Sequence, residues 1–146
     1  MNDIYIEGGT KRQKELATSV IEFSIRKLLP RVRTLLIDVE LTNHMEDLGG
    51  CWVLDNHRNC GIEINKSAST KDFIISVLHE MVHVKQFYRK ELTEKFIYRL
   101  SESNKSFVQR VYWKGKDCTD LKYNDLPHEH EAYDISQQLY KEWKNE

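Results

Sequence analysis

The sequence predicts a single α+β domain: a small mixed sheet of about three to four strands packed on an N-terminal helix, a central helix and a C-terminal helix. Three observations carry that expectation. In the first half, apolar and polar residues alternate at the two-residue period of a half-buried strand, as in Ile37-Asp38-Val39-Glu40-Leu41. Elsewhere apolar residues recur every three or four positions, which gives a helix one apolar stripe. At 146 residues the chain is long enough for one real core, and residues 1–146 show no repeat, low-complexity tract or linker that would divide it.

The elements follow in order. Residues 1–10 read as a strand-like start broken by Gly8-Gly9. Thr10 is placed to cap a helix through about Leu29, with Leu16, Val20 and Phe23 on its apolar side and Pro30 ending it. Thr34–Leu41 reads as a strand. Gly49-Gly50 precede a second strand, Cys51–Leu54, and the turn-forming run Asp55–Asn59 leads to a third, Cys60–Asn65. Ser69 and Thr70 are good N-caps, and Ser69 with Asp72 resembles a capping box. A helix is therefore expected from about Thr70 to Tyr88, buried along Ile74, Val77, Leu78, Met81 and Val82. Lys90–Glu102 is expected to be another helix, with Phe96, Ile97 and Leu100 inward, and Phe107–Trp113 an extended segment. Gly115 marks a turn, and 114–125 is a polar loop. Asn124 and Asp125 supply a cap for a last helix, about Pro127 to Trp143, whose first turn suits Pro127.

The chemistry is concentrated in His79-Glu80-Met81-Val82-His83. On a helix, residues four apart share a face, so both imidazoles can aim at one metal ion. Glu80 lies about 100° round from His79, within reach of a water on that ion. This H-E-x-x-H pattern is a zinc-peptidase signature, with the Glu as general base. The alternative is two ordinary histidines on a half-buried helix. A metzincin would continue with Gly and His, where Gln86 and Arg89 stand, so that class is excluded. A third ligand must come from elsewhere, and the downstream run Pro127-His128-Glu129-His130-Glu131-Ala132 offers donors at the start of the last helix.

Those two segments resemble the small gluzincin-type zinc metallopeptidases of the SprT-like and minigluzincin kind, many from bacteria and phages, which pair H-E-x-x-H with a P-x-E-x-E-A stretch. Tyr112-Trp113-Lys114-Gly115 and Tyr123 are similar to that group as well, and the resemblance covers roughly residues 60 to 140 in pieces. It implies one Zn2+ held by His79, His83 and Glu129, with small Ala132 letting the two helices approach. Glu131 is the alternative ligand, and His128 and His130 stay open because SprT proteins use a His. It implies a substrate peptide added to a sheet edge near the metal, which could be the Ile62-Glu63-Ile64 strand or another of the three. The transition-state donor is left among Tyr112, Tyr123, His128 and His130. The C-terminal zinc ribbon of many SprT proteins is missing from this sequence, which argues against their DNA-linked role.

Composition sets further bounds. A net charge of −1 gives no global field for nucleic acid or an anionic membrane. The basic runs at Lys11, Arg12 and Lys14 and from Arg26 to Arg33 read as solvated faces. No apolar run spans a bilayer, and the first residues lack the features of a signal peptide, so a cytoplasmic setting is expected. Cys51, Cys60 and Cys118 form no C-x-x-C pair, and their irregular spacing favours free thiols over a structural zinc site with His57. The expected function is zinc-dependent hydrolysis of a peptide bond in a peptide or protein substrate, with metal-bound water activated by Glu80. The competing functions are a metal-binding adaptor or inhibitor without turnover and an SprT-like DNA-associated protease. Two imidazoles and a carboxylate would also accept cobalt, nickel or manganese.

Overall fold

The computed structural model describes the backbone of residues 1–43, 47–100 and 105–146, and their side chains apart from 96–100 and 105–108. The described residues form an α+β fold with a mixed four-stranded sheet, a separate three-stranded sheet and three α-helices. Strand β1 (Asp3–Glu7) leads through helix α1 (Lys11–Leu28) to β2 (Leu36–Thr42). Strands β3 (Gly49–Val53) and β4 (Asn59–Asn65) follow, and then helix α2 (Thr70–Tyr88). The sheet order is β1-β2-β4-β3: the first three run parallel, and β3 pairs antiparallel with β4 at one edge.

The two-residue period decides which face meets the helices. Ile37, Val39 and Leu41 of β2 and Cys60, Ile62 and Ile64 of β4 are buried, whereas Asp38 and Glu40 are exposed. The core joins these residues to Ala17, Val20, Ile21 and Phe23 of α1 and Val77, Leu78 and Met81 of α2. Local chemistry sets the helix starts. Thr10 accepts from the Gln13 N–H while the Gln13 side chain accepts from the Thr10 N–H, a full capping box. Ser69 caps α2 by accepting from the Asp72 N–H at 3.2 Å. Each such cap contributes about 1 kcal/mol.

The segment after α2 is a strand rather than a helix. Lys90 takes the left-handed conformation, φ 58°, one residue beyond the C-cap Arg89. The Glu91 N–H returns to the Gln86 carbonyl and the Lys90 N–H to that of Phe87, closing α2 in a Schellman motif. The chain then reverses into a long hairpin of β5 (Leu92–Leu100) and β6 (Lys105–Trp113), extended by the short β7 (Lys116–Asp117). Cross-strand pairing along nine positions overrides the helical spacing of that segment. The inward residues expected there, Phe96, Ile97 and Leu100, have side chains outside the described residues, as does Phe107 of the extended segment.

A single turn of 3-10 helix (Tyr123–Asp125) precedes helix α3 (Pro127–Lys144). Asn124 and Asp125 do not cap α3. The N-cap is Leu126, without a side-chain bond, and Pro127 fills the first helical position, where no N–H is needed. His128, Ala132, Ser136 and Leu139 form the buried stripe of α3. Trp143 packs edge-on against Phe23 of α1, centroids 5.4 Å apart.

Lys90 pays the steric cost of a left-handed residue with a Cβ. Lys90→Gly is expected to stabilise the protein by about 0.5–1 kcal/mol, seen as a rise of about 2–4 °C in Tm by calorimetry.

Candidate metal centre

Helix α2 supplies one wall of the centre. His79 and His83 sit one turn apart, their rings nearly perpendicular with centroids 5.0 Å apart. Both belong to the cleft-facing side, which also holds Ser76 and Phe87. His83 is almost fully buried, while the His79 side chain is 23% exposed. Glu80 is buried beneath the cleft, its Oε1 4.0 Å from His83 Nε2. Gly49 makes room for it: a Cβ there would come within 3.2 Å of Glu80 Cγ and of the Glu63 carbonyl oxygen.

Helix α3 brings the opposing carboxylate. Glu129 Oε2 lies 3.0 Å from His79 Nε2, and its Oε1 lies 2.9 Å from His83 Nε2. The Tyr123 hydroxyl donates to Oε2 at 2.9 Å. Two oxygens of one carboxylate thus face two imidazole nitrogens from a helix about 50 residues earlier in the chain. Donor atoms of His79, Glu80 and His83 also lie within 4.8 Å of one another, so the group could hold a metal ion. An ion with bonds of about 2.0–2.2 Å in tetrahedral geometry sets its donors about 3.3 Å apart. The Glu129 contacts fall a few tenths of an ångström short of that, and Glu80 falls outside it. The nitrogen and oxygen donors present fit a divalent ion of the zinc type.

Gln86 is the residue that sequence reasoning missed. It is fully buried, and its Oε1 sits 2.7 Å from His83 Nδ1. Its Nε2 donates to the His128 carbonyl at 3.0 Å and to Glu131 Oε1 at 3.2 Å. Two acceptors on the amide nitrogen fix which way the amide faces. His83 Nδ1 must therefore carry a proton, so that in the neutral ring it is Nε2, the atom that meets Glu129 here, whose lone pair is available to an ion. In the sequence, Gln86 shares the side of the helix that carries His79 and His83 and breaks the metzincin pattern, but its partner segment lies far downstream.

The other candidates are sorted by their partners. Glu131 is turned to Lys85, 3.1 Å away, whose ammonium also meets Glu91 at 2.8 Å. His130 spends its Nε2 on the Asn124 carbonyl. His128 is buried with its ring 6.0 Å from that of His83 and its Nδ1 unpartnered. Tyr112 lies beneath the Lys95 ammonium on β6. Of the four proposed donors, Tyr123 and His128 line the cleft, which measures about 930 Å³.

Ile62, Glu63 and Ile64 lie on an inner strand rather than at the sheet edge. Strand β4 is flanked by β2 and β3, so both rows of its backbone groups are already engaged, and Ile62 and Ile64 are buried in the core. The edge strand beside the centre is β3, whose Gly49, Gly50 and Cys51 line the cleft. Strand order depends on pairing between distant segments, which the local pattern of β4 does not encode. The three cysteines are free thiols, and among the described residues the only His, Cys, Asp and Glu group fit for an ion is the one around His79 and His83.

The electrostatics describe a centre poised around its own counter-charges. Burial pushes the Glu129 carboxyl up, but hydrogen bonds from His79, His83 and Tyr123 outweigh it and hold it well below the usual carboxylate range. Burial lowers the His83 imidazole, yet Glu129 and Glu80 together raise it above its ordinary value. Burial raises Glu80 despite the two imidazoles, and burial lowers His128. Tyr123 is raised by burial and by Glu129.

Comparison of the chain with protein families, with curated proteins and with solved structures returned no match.

Two outcomes are expected. Gln86→Leu removes the partner of His83 Nδ1 and should weaken zinc binding by about 10–100-fold in a chelator competition. The metal-free protein should be most stable in mildly acidic buffer. The depressed Glu129 contributes stability above its unfolded value of about 4.5 and loses it as pH falls through its lower folded value. The raised His83 contributes below its unfolded value of about 6.5 and loses it as pH rises through its higher folded value. Denaturant melts across pH should show a maximum between those limits.

Proposed function

We propose that the protein is a zinc-dependent peptide hydrolase, with His79, His83 and Glu129 as the metal ligands and Glu80 as the general base. The observation that carries this is the meeting of both Glu129 oxygens with the two imidazole Nε2 atoms at 2.9 and 3.0 Å, while Glu80 stands a further ångström off beside an open cleft. On that spacing Glu129 is the better third ligand, and Glu80 is left free for proton transfer. A zinc ion bound there would supply Lewis acidity, polarising the scissile carbonyl and lowering the pKa of a water.

The chain's own groups do the rest. Glu80 accepts the proton of the attacking water and hands it to the departing amine. Gln86 keeps the His83 lone pair directed at the ion. Tyr123 can turn its hydroxyl from Glu129 to the oxygen that gains charge in the transition state. Strand β3 is the edge strand of the four-stranded sheet, along which an extended substrate adds as a fifth strand, giving affinity through main-chain hydrogen bonds. A module that merely held a metal would have no use for a carboxylate at the position of Glu80. No helix among the described residues is long and apolar enough to cross a membrane. A reducing, cytoplasmic setting suits the three free thiols.

Glu80→Gln preserves shape but removes the base. Zinc content by atomic absorption should stay at the wild-type level, while cleavage of unfolded casein drops by about 10²–10⁴. Equal cleavage by the variant, or none by the zinc-loaded wild type, would sink the hydrolase assignment.

A further inference from the structure

The cleft is longer than its metal centre. Its α2 wall runs from Asp72 through Ser76, His79 and His83 to Phe87. The fifteen steps of helix from Asp72 to Phe87 span about 22 Å, which matches about six residues of extended chain at about 3.4 Å each. The two ends differ. Near the start of α2 the lining is mostly polar, with Asp72, Ser76, Ser136 and Gln137 around Ile75. Near its end, Phe87, Leu92 and Val111 form an apolar wall with Glu94 beside it.

Charge is distributed with one sign. Asp47, Asp72 and Glu94 line the cleft away from the centre, and Glu80 and Glu129 lie within it. The sequence holds 22 Lys and Arg, yet none lines the cleft among the described residues. The centre's own anions have partners: Glu129 is bonded to both imidazoles and to Tyr123. Among the described residues no cation lies within 4.0 Å of the Asp72 or Glu94 carboxylate, and Glu94 accepts a hydrogen bond from the neutral Gln109 amide. A separate observation also points to an occupant. His128 is 8% exposed, lines the same cleft and keeps its Nδ1 without a partner, a buried polar atom that a ligand's backbone would satisfy.

We infer that the occupant is a basic peptide: an extended segment of about six residues with Lys or Arg at each end, one at Asp72 and one at Glu94, and an apolar side chain against Phe87, Leu92 and Val111. This rests on the cleft being the peptide site of the hydrolase proposed above, and it adds the substrate class. Main-chain pairing along β3 tolerates many sequences, so the carboxylates at the two ends supply the selectivity. An acidic peptide would bring like charges into a walled cleft, where water screens them less than on an open surface.

Binding and turnover can be read apart. Three fluorescein-labelled peptides share an Ala-Leu-Phe core and carry Lys, Gln or Glu on both flanks. Their affinities are measured by anisotropy on the zinc-loaded Glu80→Gln protein, which should bind without cleaving. The Lys peptide is expected to bind about tenfold more tightly than the Gln peptide and about a hundredfold more tightly than the Glu peptide at low salt, with the gap closing as salt rises. Asp72→Asn and Glu94→Gln should each shrink the Lys-to-Gln ratio about threefold, with circular dichroism confirming the fold. Equal affinities for the three peptides, or no binding of any, overturn the inference, and the peptide series decides it even where a protein variant fails to fold. Wild-type cleavage of all three at one rate leaves the hydrolase standing and removes the selectivity. Selective binding of the Lys peptide with no cleavage by the wild type does the reverse.

Discussion

The contact of one carboxylate with two imidazoles across the α2–α3 interface is the constraint on which the site depends. Glu129 is partly buried, so its charge needs compensation, and His79, His83 and Tyr123 supply it. Gln86 makes that meeting reproducible. One neutral amide orients the His83 ring and grips the first turn of α3 through the His128 carbonyl and Glu131. Because the amide has one acceptor and two donors already assigned, it cannot rotate without losing bonds at both ends. Lys85 adds a second clamp on the same turn by bridging Glu131 to Glu91 at the start of the hairpin.

The scaffold serves this interface in layers. Parallel strands β1, β2 and β4 present one apolar face to α1 and α2, and β4 leads directly into α2. The imidazoles are therefore carried on the helix most deeply embedded in the core, on the side that the core does not cover. Helix α3 touches that core through Ile135, Leu139, Tyr140 and Trp143, while its first turn is held by the buried His128 ring beside His83 and Trp113 and by the polar contacts of Glu129 and Glu131. Hydrogen bonds from His79, His83 and Tyr123 thus fix the Glu129 carboxylate, while apolar burial docks the rest of its helix.

What was legible in the sequence was mainly local. The bounds of α2, Thr70 to Tyr88, follow from the Ser69 cap and the helical period, and they agree with the structure. The alternation of β2 correctly separates buried Ile37, Val39 and Leu41 from exposed Asp38 and Glu40. The approach of Glu129 to the imidazoles was expected by resemblance to a short motif, and the geometry brings those groups together. What stayed hidden involved partners distant in sequence. The strand at Leu92–Leu100 depends on β6, and helical spacing within it misleads without that partner. The inner position of β4 depends on which strands flank it, and the role of Gln86 depends on a helix 42 residues away. The α3 cap failed differently: Asn124 and Asp125 have suitable side chains but are used up in the preceding turn.

The 50-residue separation between His79 and Glu129 has a consequence for synthesis. Ribosomes extend chains at about 5–20 residues per second, so roughly 3–10 seconds pass between the emergence of the histidines and that of the carboxylate. In that interval the nascent chain holds the two imidazoles of α2 without the carboxylate that meets them in the fold. The complete set exists only after the hairpin has been made and the final helix has come back onto α2. The fold thereby delays maturation of its own chemistry until nearly the whole domain has left the exit tunnel.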